Sequence, residues 1–174
     1  TIMNKKLIVL QNTLIFLGAD LENEKEQITN TLQQNYIMNV VAPFIKTIPS
    51  SIFNANHSIK YFYAPLLTRV EKQGLSGCYS LYQIDACLEN IAENAFSSCV
   101  SLGKLKLKNI KSIRKAAFGE YGALPLEVKQ FVQSIEANQP NEELRNFEFD
   151  AHYYAKQYKS KLQFLRRQID SDIF

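Results

Sequence analysis

The sequence predicts an α/β solenoid, with short parallel strands on a concave face, short helices or turns on the convex side and a helical cap at the C-terminal end. Two observations predict it. First, three apolar columns keep phase through residues 45–124. Ile48, Val70, Ile91 and Ile113 form one, Phe53, Leu75, Phe96 and Phe118 a second, and Ile59, Leu81, Leu102 and Leu124 a third, each stepping by 22, 21 and 22 residues. A fixed period of this size marks stacked units, each able to bury its apolar side only against its neighbours. Second, apolar and polar positions alternate at the end of each set Ile59/Phe62/Ala64, Leu81/Ile84/Ala86 and Leu102/Leu105/Leu107. Period two turns one strand face inward, and one strand per unit stacks into a parallel sheet.

A chain of 174 residues that is 46% hydrophobic buries one core and is short for two ordinary domains. The net charge of +3 is far from the concentrated positive charge that marks nucleic-acid binding, and no nucleic-acid partner is expected. Three cysteines do not make a disulfide framework, so they are read as reduced thiols.

At the N-terminus, Met3-Asn4-Lys5-Lys6 ahead of Leu7–Leu10 and Leu14–Leu17 has the outline of a secretory signal. Gln11, Asn12 and Thr13 interrupt the apolar core that a signal requires. The chain is read as cytoplasmic, or secreted without an obvious cleaved signal peptide. Leu14, Leu17 and Ala19 stand 23 residues before Ile37, Val40 and Ala42, which suggests an early, degenerate repeat strand. Asp20 is placed to cap a helix through about Gln34, with Glu22, Glu24 and Glu26 at its positive end and Leu21, Ile28 and Leu32 on one face. Residues 1–36 are thus an N-terminal degenerate repeat or capping region, and 37–124 hold the repeats. After Leu124 the next core positions fall on Glu127 and Lys129, and the frame ends. Pro125 suits the first turn of a helix carrying Val128, Phe131, Val132 and Ile135 on one face. A second helix, from Asn141 or Asp150 to near Ile169, bears Tyr154, Tyr158, Leu162, Leu165 and Ile169. Residues 125–174 are read as the cap that keeps the last unit from exposing bare core. The last helix is basic, with Lys156, Lys159, Lys161, Arg166 and Arg167, but its apolar stripe is read as packed on the body, and no membrane role is expected.

The unit Leu88-Glu-Asn-Ile91-Ala-Glu-Asn-Ala95-Phe96-Ser-Ser-Cys99-Val-Ser-Leu102 resembles the BspA-type leucine-rich repeat in its order of Ile, Ala-Phe, Cys and Leu. Val70 to Leu81, with Leu75 and Cys78, matches nearly as well, while the flanking units carry Asn56 and Tyr121 at the Cys position. The resemblance implies a curved stack with strands on the concave side, used mainly to bind other proteins, often at bacterial surfaces or as secreted factors meeting host proteins. It implies no reaction.

The residues themselves offer no chemistry. There is no Walker loop, dinucleotide fingerprint or His-Glu-x-x-His pair, and Gly74-Leu75-Ser76-Gly77-Cys78 is one residue short of a nucleophile elbow. His57 and His152 lack partners at ligand spacing, so no metal and no cofactor are expected. Cys78 and Cys99 fall at equivalent positions and read as a ladder of small buried side chains; Cys87, just after a strand, is the more accessible thiol. The informative residues are those that strand alternation turns onto the concave sheet: Asn39, Val41, Lys60, Tyr61, Tyr63, Tyr82, Gln83, Asp85, Lys104 and Lys106, with Met38 and Gly103 beside them. Tyrosines among lysines on a rigid sheet suit a protein interface, since aromatic rings give large contact area at low entropy cost. The expected function is a non-enzymatic protein-interaction module. The alternative is a spacer or scaffold fragment of a longer surface protein.

Overall fold

The computed structural model describes residues 3–4, 6–114 and 116–119. Leu124, Tyr121, His152 and both expected C-terminal helices lie outside the described residues.

The chain enters through three short strands, β1 (Met3–Asn4), β2 (Leu7–Leu10) and β3 (Thr13–Phe16). β1 pairs with β2 and β2 with β3, both antiparallel, with Leu10 opposite Thr13. Gln11 and Asn12, which break the apolar run in sequence, are the hairpin turn, and Gln11 takes a left-handed φ of 54°. A 3-10 turn (Glu22–Glu24) and helix α1 (Lys25–Gln34) follow. The Asp20 carboxylate accepts the Glu22 amide at 2.9 Å ahead of the 3-10 turn, but the N-cap of that turn is Leu21 and that of α1 is Glu24, so Asp20 does not cap one helix through Gln34; Leu21 and Ile28 are buried.

From here the repeats build two sheets at once. β4 (Asn39–Val41), β6 (Tyr61–Tyr63) and β8 (Gln83–Asp85) continue the first sheet in parallel, and a bridge from Gln83 to Lys104 extends it. β5 (Thr47–Ile48), β7 (Arg69–Val70), β9 (Asn90–Ile91) and β10 (Ser112–Ile113) form a second, wholly parallel sheet. The sequence reading did not anticipate this sheet, although Thr-Ile, Arg-Val, Asn-Ile and Ser-Ile recur at its positions with the polar residue outward. The third side of each unit is turn, not helix, and it too is a backbone ladder. Phe53 N–H donates to Gly74 O at 3.1 Å, Leu75 to Ala95 O at 3.0 Å and Phe96 to Ala117 O at 2.8 Å.

The register places equivalent residues directly over one another. Val40, Phe62 and Ile84 pair in the first sheet; Ile48, Val70, Ile91 and Ile113 pair in the second. All of these point into one continuous core that also holds Phe53, Leu75, Phe96 and Phe118. Phe53 meets Phe62 edge-on at 5.1 Å and Phe96 stacks on Phe118 at 5.4 Å. The short step of 21 has a location. Where Ala64-Pro65-Leu66-Leu67 closes a turn through Leu67 N–H to Ala64 O (3.0 Å), the next corner is Ala86-Cys87-Leu88, one residue shorter, and Cys87 N–H donates to Leu67 O (3.1 Å) instead.

The N-terminal equivalence expected from spacing needs correction. β3 pairs Leu14 with Val40 and Ile15 with Val41, whereas Leu17 is half-buried and Ala19 exposed beyond the strand. The spacing of 23 therefore aligned the wrong residues, because a helix replaces the turn here and lengthens the connection between parallel strands.

Ser51, Gln73, Asn94 and Ala116 share a left-handed φ, and so do Ala55, Gly77 and Ser98. Such φ values are disfavoured for side-chain-bearing residues, and the cross-unit ladder holds them. Gly77, at φ 71°, also sits where a Cβ would come 3.2 Å from Ala55 Cα. Gly77→Ala is expected to cost about 1–2 kcal/mol in chemical denaturation, and Ser98→Gly to be neutral or mildly stabilising. Phe62→Ala, emptying a fully buried site, is expected to cost about 3–5 kcal/mol.

Candidate interaction face and the cysteine ladder

The outward face of the first sheet carries rows fixed by its register. Asn39, Tyr61, Gln83 and Lys104 form one row and Val41, Tyr63 and Asp85 the next. Lys106 follows two residues after Lys104 and is exposed. Lys60 and Tyr82 precede the strands, and their carbonyls each accept two amides of the following unit: Lys60 O from Tyr82 and Gln83, Tyr82 O from Gly103 and Lys104. Lys60, Tyr61, Tyr63, Tyr82, Gln83, Asp85 and Lys104 are all half-buried.

Two of the ten expected residues do not belong to this surface. Asn39 and Val41 are each only 2% exposed. Asn39 sits over Thr13, and its amide nitrogen lies 3.3 Å from the Thr13 hydroxyl. Strand alternation gave their side of the sheet, but not that β3 and its neighbours extend the sheet and leave that end of the face buried.

Asp85 organises the remainder. Its Oδ1 accepts the Gln83 side-chain amide at 2.9 Å, and its Oδ2 accepts the Tyr61 hydroxyl. Tyr61 is diagonal to Asp85 across the β6–β8 pair, a separation that a tyrosine spans. The carboxylate is thereby tied to two neighbours and positions a ring and an amide on the sheet.

The outward side of the second sheet is different. Lys111 bonds Glu89 at 2.8 Å, Lys72 bonds Glu93 at 3.1 Å, and Ser112 donates to Asn90 at 2.8 Å, each pair bridging adjacent units. These ion pairs neutralise their charges in place.

Cys78 and Cys99 are free and buried, as the ladder reading expected, and Cys87 is free and exposed. The Cys78 thiol donates to Phe53 O at 3.3 Å and the Cys99 thiol to Leu75 O at 3.1 Å, one unit back in each case. Burial drives both thiols upward. Cys78, raised further by the neighbouring Cys99, is pushed well beyond the usual thiol range, and Cys99 is pushed up to about 12. In the first unit Asn56 replaces cysteine, and its carbonyl oxygen accepts the amides of Ser58 (3.3 Å) and Ile59 (3.2 Å). His57 is exposed beside it, its ring 4.6 Å from that of Tyr79. Among the described residues no group of three or more His, Cys, Asp or Glu is placed to hold a metal ion, and no helix is long and apolar enough to cross a membrane.

Units of near-constant length that stack their apolar columns in parallel register define a repeat protein of the leucine-rich class. A family model, the BspA type leucine-rich repeat region with six copies, matches residues 29–152, and the chain belongs to that family. The match runs past Leu124, where the apolar frame was expected to end. No curated protein and no solved structure matches the chain.

A thiol reagent at neutral pH is expected to modify Cys87 alone, with Cys78 and Cys99 reacting only on unfolding; mass-spectrometric mapping reads the sites. Because the folded thiols titrate above the unfolded value of 9.0, the unfolded state loses protons first as pH rises. The stability this linkage contributes is complete below pH 9 and falls between 9 and about 12, at up to about 1.4 kcal/mol per pH unit per thiol. Denaturation of the native chain against the Cys78→Ala/Cys99→Ala variant across that range measures it.

Proposed function

We propose that the repeats wind as a solenoid with the β4–β6–β8 sheet on its concave side, and that this face binds another protein. The observation that carries the reading is that Asp85 holds the Tyr61 hydroxyl and the Gln83 amide, with half-buried Tyr63 and Tyr82 on the same sheet and backbone ladders fixing each position. Binding to a surface already ordered loses little side-chain entropy, so contact area converts into affinity. The second sheet is a poorer candidate, since Lys72–Glu93 and Lys111–Glu89 already pair across units and exposed ion pairs contribute little. Lys60, Lys104 and Lys106 outnumber Asp85 on the proposed face, which favours a partner with an acidic surface. A secreted factor that engages a host protein is a finer form of the same reading, prompted by the family.

Affinity capture with the native chain, followed by mass spectrometry, identifies the partner. Tyr61→Ala, Tyr63→Ala and Tyr82→Ala together are expected to abolish that capture while the melting temperature stays within a few degrees. Lys106→Glu should slow association several-fold at low salt and much less at high salt. Capture that survives the triple substitution would remove this face from consideration.

A further inference from the structure

Away from that sheet, an open groove of about 520 Å³ runs between α1 and the turn of the first repeat. Thr29, Leu32 and Gln33 of α1, with Tyr36 just beyond its end, line one wall, and residues of the segment 51–58, including Asn54 and His57, line the other. Three features distinguish it. Charged residues make up 21% of the chain, yet the described lining contains no Asp, Glu, Lys or Arg. The comparable groove of about 490 Å³ near α1's start holds Asp20, Glu22, Lys46 and Glu71. Tyr36 is 70% exposed, the most open of the large hydrophobic side chains among the described residues, and the ring of His57 lies tilted against exposed Tyr79, 4.6 Å away. The Gln33 and Asn54 side-chain amides make no hydrogen bond to the described residues, whereas Asn56 beside them is occupied in its own turn.

We infer that this groove binds an uncharged carbohydrate. A pyranose ring presents a flat face of C–H groups and an edge of hydroxyls, each able to donate and accept. An exposed aromatic ring packs on the first, and side-chain amides, which donate and accept at once, pair with the second. With no Lys or Arg in the described lining, the side chains that usually pair with a phosphate, a nucleic acid or an acidic peptide are missing there. A neutral peptide fits less well, since the described lining includes no strand residue and Leu32 is its one half-buried apolar anchor. The inference does not rest on the sheet face described above.

The test titrates the full chain with uncharged tetrasaccharides of β-1,4-linked glucose, α-1,4-linked glucose and β-1,4-linked N-acetylglucosamine, read by saturation-transfer NMR and calorimetry. At least one should bind saturably in the micromolar to millimolar range, and Tyr36→Ala and Asn54→Ala should each weaken it about tenfold. Both side chains are exposed, so an unchanged melting temperature is expected for each. Tyr82→Ala, on the sheet, should leave sugar binding intact, which separates this site from the protein-binding face. Absence of saturable binding by all three sugars, binding that survives the Tyr36→Ala/Asn54→Ala double variant, or occupation of the groove by a peptide instead would overturn the inference.

Discussion

Everything in this fold depends on backbone amides finding carbonyls in the adjacent unit. An amide within one short strand has no partner in its own unit, and a buried unpaired group costs a large part of a hydrogen bond. The chain satisfies these groups on three sides of each repeat: two parallel sheets and one ladder of turns. Such ladders require that each unit trace nearly the same path as the last, which fixes its length at 21 or 22 residues. The length variation is confined to a corner between ladders, where Ala86-Cys87-Leu88 omits a residue without moving the strands on either side. The same demand explains why Ser51, Gln73 and Asn94 hold left-handed backbone that side chains disfavour. The turn must close there for the ladder to continue, and no single unit is free to relax.

That constraint also decides what the sequence disclosed. A side chain directly above its equivalent in the next unit must be tolerated by it, so Ile48, Val70, Ile91 and Ile113 stay apolar and their period is plain. The sheet residues Tyr61 and Asp85 could be assigned to a face from alternation alone, because period two leaves no choice once Phe62 and Ile84 point inward. Less legible were features that depend on a terminus. The β1–β2–β3 entry is antiparallel and precedes a helix, so neither its direction nor its register follows from the repeat. The second sheet escaped because its strands are two residues long, too short for alternation to be visible within any one unit. Only comparison across units, Thr47 with Arg69, Asn90 and Ser112, exposes it. The burial of Asn39 and Val41 was hidden for a related reason: a pattern within a strand reports its two faces, not what lies over them.

Cysteine at the equivalent positions 78 and 99 shows how tightly the columns restrict chemistry. Each thiol is placed to donate to a carbonyl one unit back, and burial holds both as neutral groups. A small apolar side chain with one weak donor fits that need better than serine, whose hydroxyl requires more hydrogen bonding than the core supplies. Asn56 occupies the same position in the first unit, where α1 replaces a preceding repeat turn and the side chain reaches solvent. There its oxygen is directed to the local amides of Ser58 and Ile59.

The same boundary effect bears on where recognition resides. Inside a repeat array every outward position is flanked by similar neighbours, and surfaces of repeated composition arise, such as the cross-unit pairs Lys72–Glu93 and Lys111–Glu89. Binding needs a departure from that regularity. The first sheet departs by accumulating tyrosine and lysine at positions whose equivalents would accept any polar side chain. The groove beside α1 departs because a helix stands where other units have a turn, leaving a concave space that the ladder does not fill. Both lie at places where the backbone constraint is already satisfied by the ladders. In this chain the core columns set the architecture, and the recognition proposed for it draws on residues that those columns do not bury.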